Sequence, residues 1–314
     1  MDVVVFGSLN MDLVAQVARL PQPGETILGH SFATAPGGKG ANQAVAVARL
    51  GVSAAMVGRV GSDGFGKILR DHLQAEAIDV EVIALSDFPS GTALIAVAPD
   101  NNQIIVVPGA NGEVSDADLE RLTPYFAKAK VLLLQFEIPL PVVQKAAMLA
   151  YQAGLTVIVD PAPAEGPLPP AFCQHISILT PNQTEAAALT GQAVGDVEGA
   201  IAAAKILLQQ GVDVVIIKLG GLGCVCATEG GVFTVPAFPV QVVDTVAAGD
   251  AFNGGLAAAL CQRERPLELG DRAQLKLAIQ YASAVAALAV TRSGAQAAMP
   301  TEAQVSTFMQ TQGI

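Results

Sequence analysis

The sequence has little of what several common active sites are built from. Its three histidines (His30, His72, His175) include no pair at metal-ligand spacing. There is no G-x-S-x-G nucleophile elbow. No G-x-G-x-x-G follows the first apolar run, so a dinucleotide fingerprint is missing. Four cysteines (Cys173, Cys224, Cys226, Cys261) form neither a disulfide framework nor a zinc pattern and read as reduced structural thiols. Charged residues are only 14% and the formal net charge is −11, which excludes the basic face a nucleic-acid partner requires. The segment MDVVVFGSLNMDL lacks the basic start and long apolar region of a signal peptide. The apolar stretch 277–290 is broken by Gln280, Tyr281 and Ser283, short of a membrane span. The expectation is a soluble, cytoplasmic protein with neither nucleic-acid nor membrane partners.

What is abundant is hydrophobic residue, 52% of 314, enough for a sizeable core. Continuous apolar runs at 3–6, 54–58, 131–135, 156–160, 176–180 and 214–219 read as buried parallel strands. Helical patterns lie between them at 41–50, 64–76, 117–128, 141–153 and 199–210. This alternation predicts an α/β fold, a doubly wound and mostly parallel sheet with right-handed crossovers. Residues 26–35 and 92–107 break the rhythm as antiparallel pieces, the second turning around Pro99-Asp-Asn-Asn102. Flanking a glycine-rich loop, they suggest one domain over 1–314 with a small antiparallel β lid from about 12–36 and 90–109.

Chemistry concentrates in a few segments. In Asp244-Thr-Val-Ala-Ala-Gly-Asp250, Ala247, Ala248 and Gly249 precede a strong helical pattern. Their amides would offer an anion hole at the positive end of the helix dipole. Asp250 would lie in the first turn, placed to accept a proton from an attacking hydroxyl. By itself such an acid has the simpler reading of complementing the dipole. Gly254 and Gly255 each cost a helix about 1 kcal/mol relative to alanine, which points to close packing or ligand approach. Ala35-Pro-Gly-Gly-Lys-Gly-Ala-Asn42 opens another helix, where backbone can hug a polar ligand and Lys39 and Asn42 can bond it. After the first strand, Asn10 and Asp12 are placed to fork two hydroxyls, although Asx residues also end strands. Gly61-Ser-Asp-Gly-Phe-Gly-Lys67 has P-loop spacing, but Ile68 stands where a Mg²⁺-binding hydroxyl is needed, so it is rejected.

In this order, across essentially the whole chain, these segments resemble the ribokinase family of sugar kinases, which includes fructokinases and adenosine kinases. The resemblance implies that Asn10, Asp12, Gly38, Lys39, Asn42 and Glu137, the last in Gln135-Phe-Glu137, hold the sugar beside Asp250 as base. Pro181-Asn-Gln-Thr-Glu185 resembles an N-x-x-E motif, implying that Asn182 meets nucleotide phosphate and Glu185 organises Mg²⁺ through water. Lys218-Leu-Gly-Gly-Leu-Gly223 looks like a loop along ATP, with Lys218, Gly220, Gly223, Gly249 and Ser283 as contacts. A small hydroxyl residue is more usual at 218, and whether the lysine reaches a phosphate or solvent stays open. Val290-Thr-Arg-Ser-Gly-Ala-Gln296 is similar to the segment closing a monovalent-cation site. K⁺ would there meet the Asp244 carboxylate and carbonyls near Val246, Ala289, Arg292 and Gly294. The family's usual serine is replaced by Ala298, implying weaker K⁺ activation. The implied reaction is transfer of the ATP γ-phosphoryl group to the 5-hydroxyl of D-ribose. Deoxyribose, fructose or adenosine as acceptor, or a non-catalytic sensor, are the alternatives; aromatics at 4% disfavour a nucleoside pocket. Such lids often pair edge strands, implying a homodimer.

Overall fold

Successive residues of a strand point to opposite faces, so a strand apolar at every position must be covered on both. Val3–Phe6 obeys this in the computed structural model, which describes residues 1–99, 101–262 and 271–313. Val3 and Val5 pack with helices Lys39–Arg49, Ala248–Cys261 and Arg272–Ala289. Val4 and Phe6 pack on the other side with Asp116–Leu122, Leu140–Gln152, Gln183–Thr190 and Val197–Gln209. Two helical layers thus cover an 8-stranded sheet. Its order is Gly231–Val235, Cys224–Thr228, Val214–Lys218, Ile178–Leu179, Thr156–Asp160, Val131–Gln135, Val3–Phe6, Ala54–Val57. Pairing is parallel from Val214–Lys218 to Ala54–Val57, and the first two strands add an antiparallel edge. The predicted doubly wound α/β class is therefore what forms.

A second, 4-stranded sheet is built from Gly29–Gly37, Asn10–Val17, Gly91–Ala98 and Asn101–Val107. Its outer pairs are antiparallel, and the two inner strands join them in parallel register. Asp100, within the Pro99-Asp-Asn-Asn102 turn expected from the sequence, lies outside the described residues. Asn10 and Asp12 thus lie within a strand and not in a loop, on the same face because they are two apart. The pattern at 117–128 also divides: the helix ends at Leu122 and Thr123–Ala127 is a 3₁₀ turn. Pro124, which has no N–H to continue the helical ladder, accounts for the break.

The four cysteines are buried and unpaired. Burial pushes the Cys224 and Cys261 thiols up to about 12, which keeps them inert. Among the described residues no helix is long and apolar enough to cross a membrane.

Candidate active site

The site gathers where parallel strands end and three helices begin. Helix Lys39–Arg49 starts at Gly38, whose φ is +89°. A Cβ at Gly38 would lie 2.7 Å from the Asn10 amide nitrogen, and one at Gly40 2.7 Å from that of Ser8. Glycine lets this helix press onto the link after Val3–Phe6. Glu137, just past Val131–Gln135, accepts hydrogen bonds from Ser8 Oγ at 2.5 Å and the Lys39 amide at 3.1 Å. Asn10 Nδ2 stands 3.5 Å from the same carboxylate oxygen. Asn10 Oδ1 accepts from Asn111 Nδ2 at 2.8 Å, so the Asn10 amide is oriented from behind. Burial, then the charges of Glu137 and Asp250, raise the Asp12 carboxyl to about 7. The predicted sugar residues Asn10, Asp12, Gly38, Lys39, Asn42 and Glu137 are thereby brought to one cleft.

Asp250 closes this cleft from the third residue of helix Ala248–Cys261. Ala247 caps that helix in the left-handed region, φ +56°, a conformation a non-glycine residue adopts only at some cost. The first amides of a helix have no intrahelical acceptor; residues 247–249 lie at this helix start, where the Ala248 amide donates to Thr245 O at 3.3 Å. The Asp250 carboxylate is buried, at 4% exposure. It accepts from Asn42 Nδ2 at 2.9 Å and Gln43 Nε2 at 3.1 Å. Burial raises its pKa; Lys39 and the two amides pull it back, Asp160 pushes it up, and it settles at about 6. Gly254 and Gly255 resolve as packing: added Cβ atoms would meet Ala46 Cβ at 2.4 Å and Val285 Cβ at 3.0 Å.

On the far side of Asp250 a groove of about 380 Å³ is lined by Lys218, Gly220, Gly223, Ala248, Gly249 and Ser283. Its other wall is the apolar run Ala237 to Val240, with Val242, a segment that the motif reading did not find. Lys218 does not point to solvent. Its Nζ is 2.9 Å from Asp160 Oδ1, and a Cβ on Gly249 would lie 3.2 Å from that nitrogen. Burial works against the Asp160 carboxylate, but Lys218 and Lys39 hold its pKa below the ordinary value. Asn182 bridges to Lys218 across the strand ends. It also caps helix Gln183–Thr190: Asn182 Oδ1 accepts from the Glu185 amide at 2.8 Å, and Glu185 Oε2 accepts from the Asn182 amide at 2.7 Å. Burial and the Asp160 charge raise the Glu185 pKa.

Asp244 ties two loops together beside the helix start. Its Oδ1 accepts from the Val246 amide and its Oδ2 from the Gly294 amide, each at 3.0 Å. Val290 O accepts from the Val243 amide at 2.8 Å. The residues expected around K⁺ are thus joined by these bonds, and Ala298 is buried in the 3₁₀ turn Gln296–Ala298. The rejected loop at 61–67 has another job: Asp63 caps helix Gly64–Ala75 and accepts from the Ser90 amide and hydroxyl.

A buried carboxylate at a helix start, between a cluster of polar side chains and a glycine-lined groove, is an arrangement suited to phosphoryl transfer. The chain belongs to the pfkB family of carbohydrate kinases, whose model matches residues 1–302. It is 39% identical to a ribokinase of Haemophilus influenzae, over 98% of this chain and 97% of the relative. It is 34% identical to a deoxyribokinase of Salmonella typhi, over 98% and 99%. The structure of Arabidopsis thaliana ribokinase complexed with ribose and ATP superposes with a TM-score of 0.87 at 33% identity, covering 98% of both chains.

Proposed function

We propose that this chain transfers the γ-phosphoryl group of ATP to the 5-hydroxyl of D-ribose, giving ribose 5-phosphate and ADP. The observation that carries the reading is the position of Asp250, bonded to Asn42 of helix Lys39–Arg49 and one residue from Gly249 of the groove. In the reaction the hydroxyl oxygen bonds to phosphorus, the bridging bond to ADP breaks, and the hydroxyl proton passes to Asp250. Amides at 247–250 take up charge on the phosphoryl oxygens. Asn10, Asp12, Gly38, Lys39, Asn42 and Glu137 hold the sugar, and Asn182, Lys218, Gly220, Gly223, Gly249 and Ser283 hold ATP. A release-of-ADP assay with ribose, deoxyribose, fructose and adenosine tests it: ribose should give the highest kcat/KM, and no sugar-dependent release would end the kinase reading.

Mg²⁺ fits this site. The carboxylates of Asp12, Glu137, Asp160, Glu185 and Asp250 outnumber the ammonium groups of Lys39 and Lys218, and burial, then the Asp160 charge, raises the Glu185 pKa. A triphosphate adds further negative charge, so Glu185, through water, would hold the Mg²⁺ that neutralises it. K⁺ is assigned to Asp244 and the carbonyls near Val246, Ala289, Arg292 and Gly294, with activation weakened by Ala298. Ala298→Ser should lower the K⁺ concentration for half-maximal rate several-fold; an unchanged value would remove Ala298 from the account.

Ionised Asp12 is the better acceptor for sugar hydroxyls. The ribose Kd should therefore rise up to about tenfold per unit as pH falls below about 7. Calorimetry reads this directly, and a flat Kd from about pH 5.5 to 8 contradicts it. We read the 4-stranded sheet as a lid of a single kinase domain. Phe32, Leu94, Ile105 and Val107, which the strand register puts on one face, leave that side apolar and exposed, and a second copy of the chain in a homodimer would cover it. Sedimentation equilibrium distinguishes this from a monomer. A cytoplasmic location accords with four unpaired thiols, and fractionation of the source cells would test it.

A further inference from the structure

Gln43 is fully buried and uses every polar atom of its side chain. Its Nε2 donates to Asp160 Oδ2 and to Asp250 Oδ1, both at 3.1 Å. Its Oε1 accepts from Gln135 Nε2 at 2.7 Å. The last bond decides which side of the amide carries the NH₂, because a flipped Gln43 would set its oxygen against two carboxylates and its NH₂ against another donor. Asn42 is handled the same way: Gln296 Nε2 donates to Asn42 Oδ1 at 3.1 Å, so that Asn42 Nδ2 faces Asp250. Two neighbouring residues of one helix therefore each present an NH₂ to one oxygen of the same carboxylate, and a second amide backs each of them.

We propose that Gln43, oriented by Gln135, is a positioning residue that holds the Asp250 carboxylate aimed at the acceptor hydroxyl and in its charged form. This rests on the reading of Asp250 as the base. The charged groups facing Asp250 are Lys39 from the same helix as Gln43, Asp160 from the end of Thr156–Asp160, and Asp12 from the lid strand. Lys39 favours the ion, whereas Asp160 and Asp12 oppose it. Burial opposes it as well, and after Lys39 the hydrogen bonds donated by Asn42 and Gln43 are what hold the base ionised. Gln43 Nε2 donates to both Asp250 and Asp160, two carboxylates that repel each other.

The test is the pH profile of kcat for the wild type, Gln43→Met and Gln135→Met. Loss of a donor destabilises the carboxylate, so the acid limb should move to higher pH, by about one unit in Gln43→Met and less in Gln135→Met. At pH values below the limb kcat should fall about tenfold, with most of the rate regained on the alkaline side and KM for the sugar nearly unchanged. A rate lowered equally at all pH values, with the limb unmoved, would mean that Gln43 only fills space and would overturn the proposal. Should Gln43→Met fail to fold, Gln135→Met, which leaves both carboxylates and Gln43 in place, decides the question alone. The same shift is read without turnover from the ¹³C carboxyl resonance of Asp250, assigned by its loss in Asp250→Asn. A protein that phosphorylates no sugar would thus end the kinase reading while the titration still decides the role of Gln43.

Discussion

Asp250→Asn is expected to lower kcat by about 10²- to 10⁴-fold, the usual contribution of a positioned general base. The carboxylate lies between the amides of Asn42 and Gln43, both donors, and burial has already lifted its pKa to about 6. A base of that pKa is ionised at neutral pH and is still strong enough to share the hydroxyl proton in the transition state. Asparagine keeps the volume but cannot accept that proton, and its own NH₂ would oppose one of the two donors. The helix start and its amides are untouched, so ATP affinity measured by calorimetry should stay within a few-fold of wild type. In the wild type the same carboxylate should impose an acid limb near pH 6, with the rate falling as Asp250 protonates below it. A variant that retains more than a tenth of the wild-type kcat would remove Asp250 from the role of base.

The second large effect is on stability. Lys218→Met removes the partner of a carboxylate that is 3% exposed. Breaking a buried pair from one side typically destabilises by about 3–5 kcal/mol, and because Lys39 and Gln43 still favour the Asp160 ion the loss should fall toward the lower end. Urea unfolding should show this loss, and adding Asp160→Asn should restore most of it. Catalysis should not follow. Nζ stands in front of Gly249 at the anion hole, so the stable double variant should still turn over slowly if Lys218 meets nucleotide phosphate. Full recovery of both stability and kcat would reduce Lys218 to a counter-ion for Asp160.

Much of the fold was legible from the chain alone because its signals are local. Val3–Phe6 and Val131–Gln135 are apolar at nearly every position, and that pattern is stable only under cover on both faces. The glycine-rich loop and the run ending in Asp250 were legible for a similar reason: small residues before a helical pattern mark a helix start within a few residues. Strand Asn10–Val17 was less so, since it mixes polar and apolar residues and gains its register from Gly29–Gly37 and Gly91–Ala98. Gly254 and Gly255 showed that backbone had to come close, but not to what; the partners are Ala46 and Val285 on other helices.

What the amino-acid sequence determined by itself is that Ala247, Ala248, Gly249 and Asp250, the candidate anion hole and base, share one helix start, because they are contiguous. What only the tertiary structure decided is the state of that group. Gln43 lies 207 positions from Asp250 and 117 from Asp160, and Lys218 lies 58 from Asp160. Burial, ion pairing and the direction of an amide depend on distances of about 3 Å, and separations this long along the chain become such distances only when the strands and helices pack.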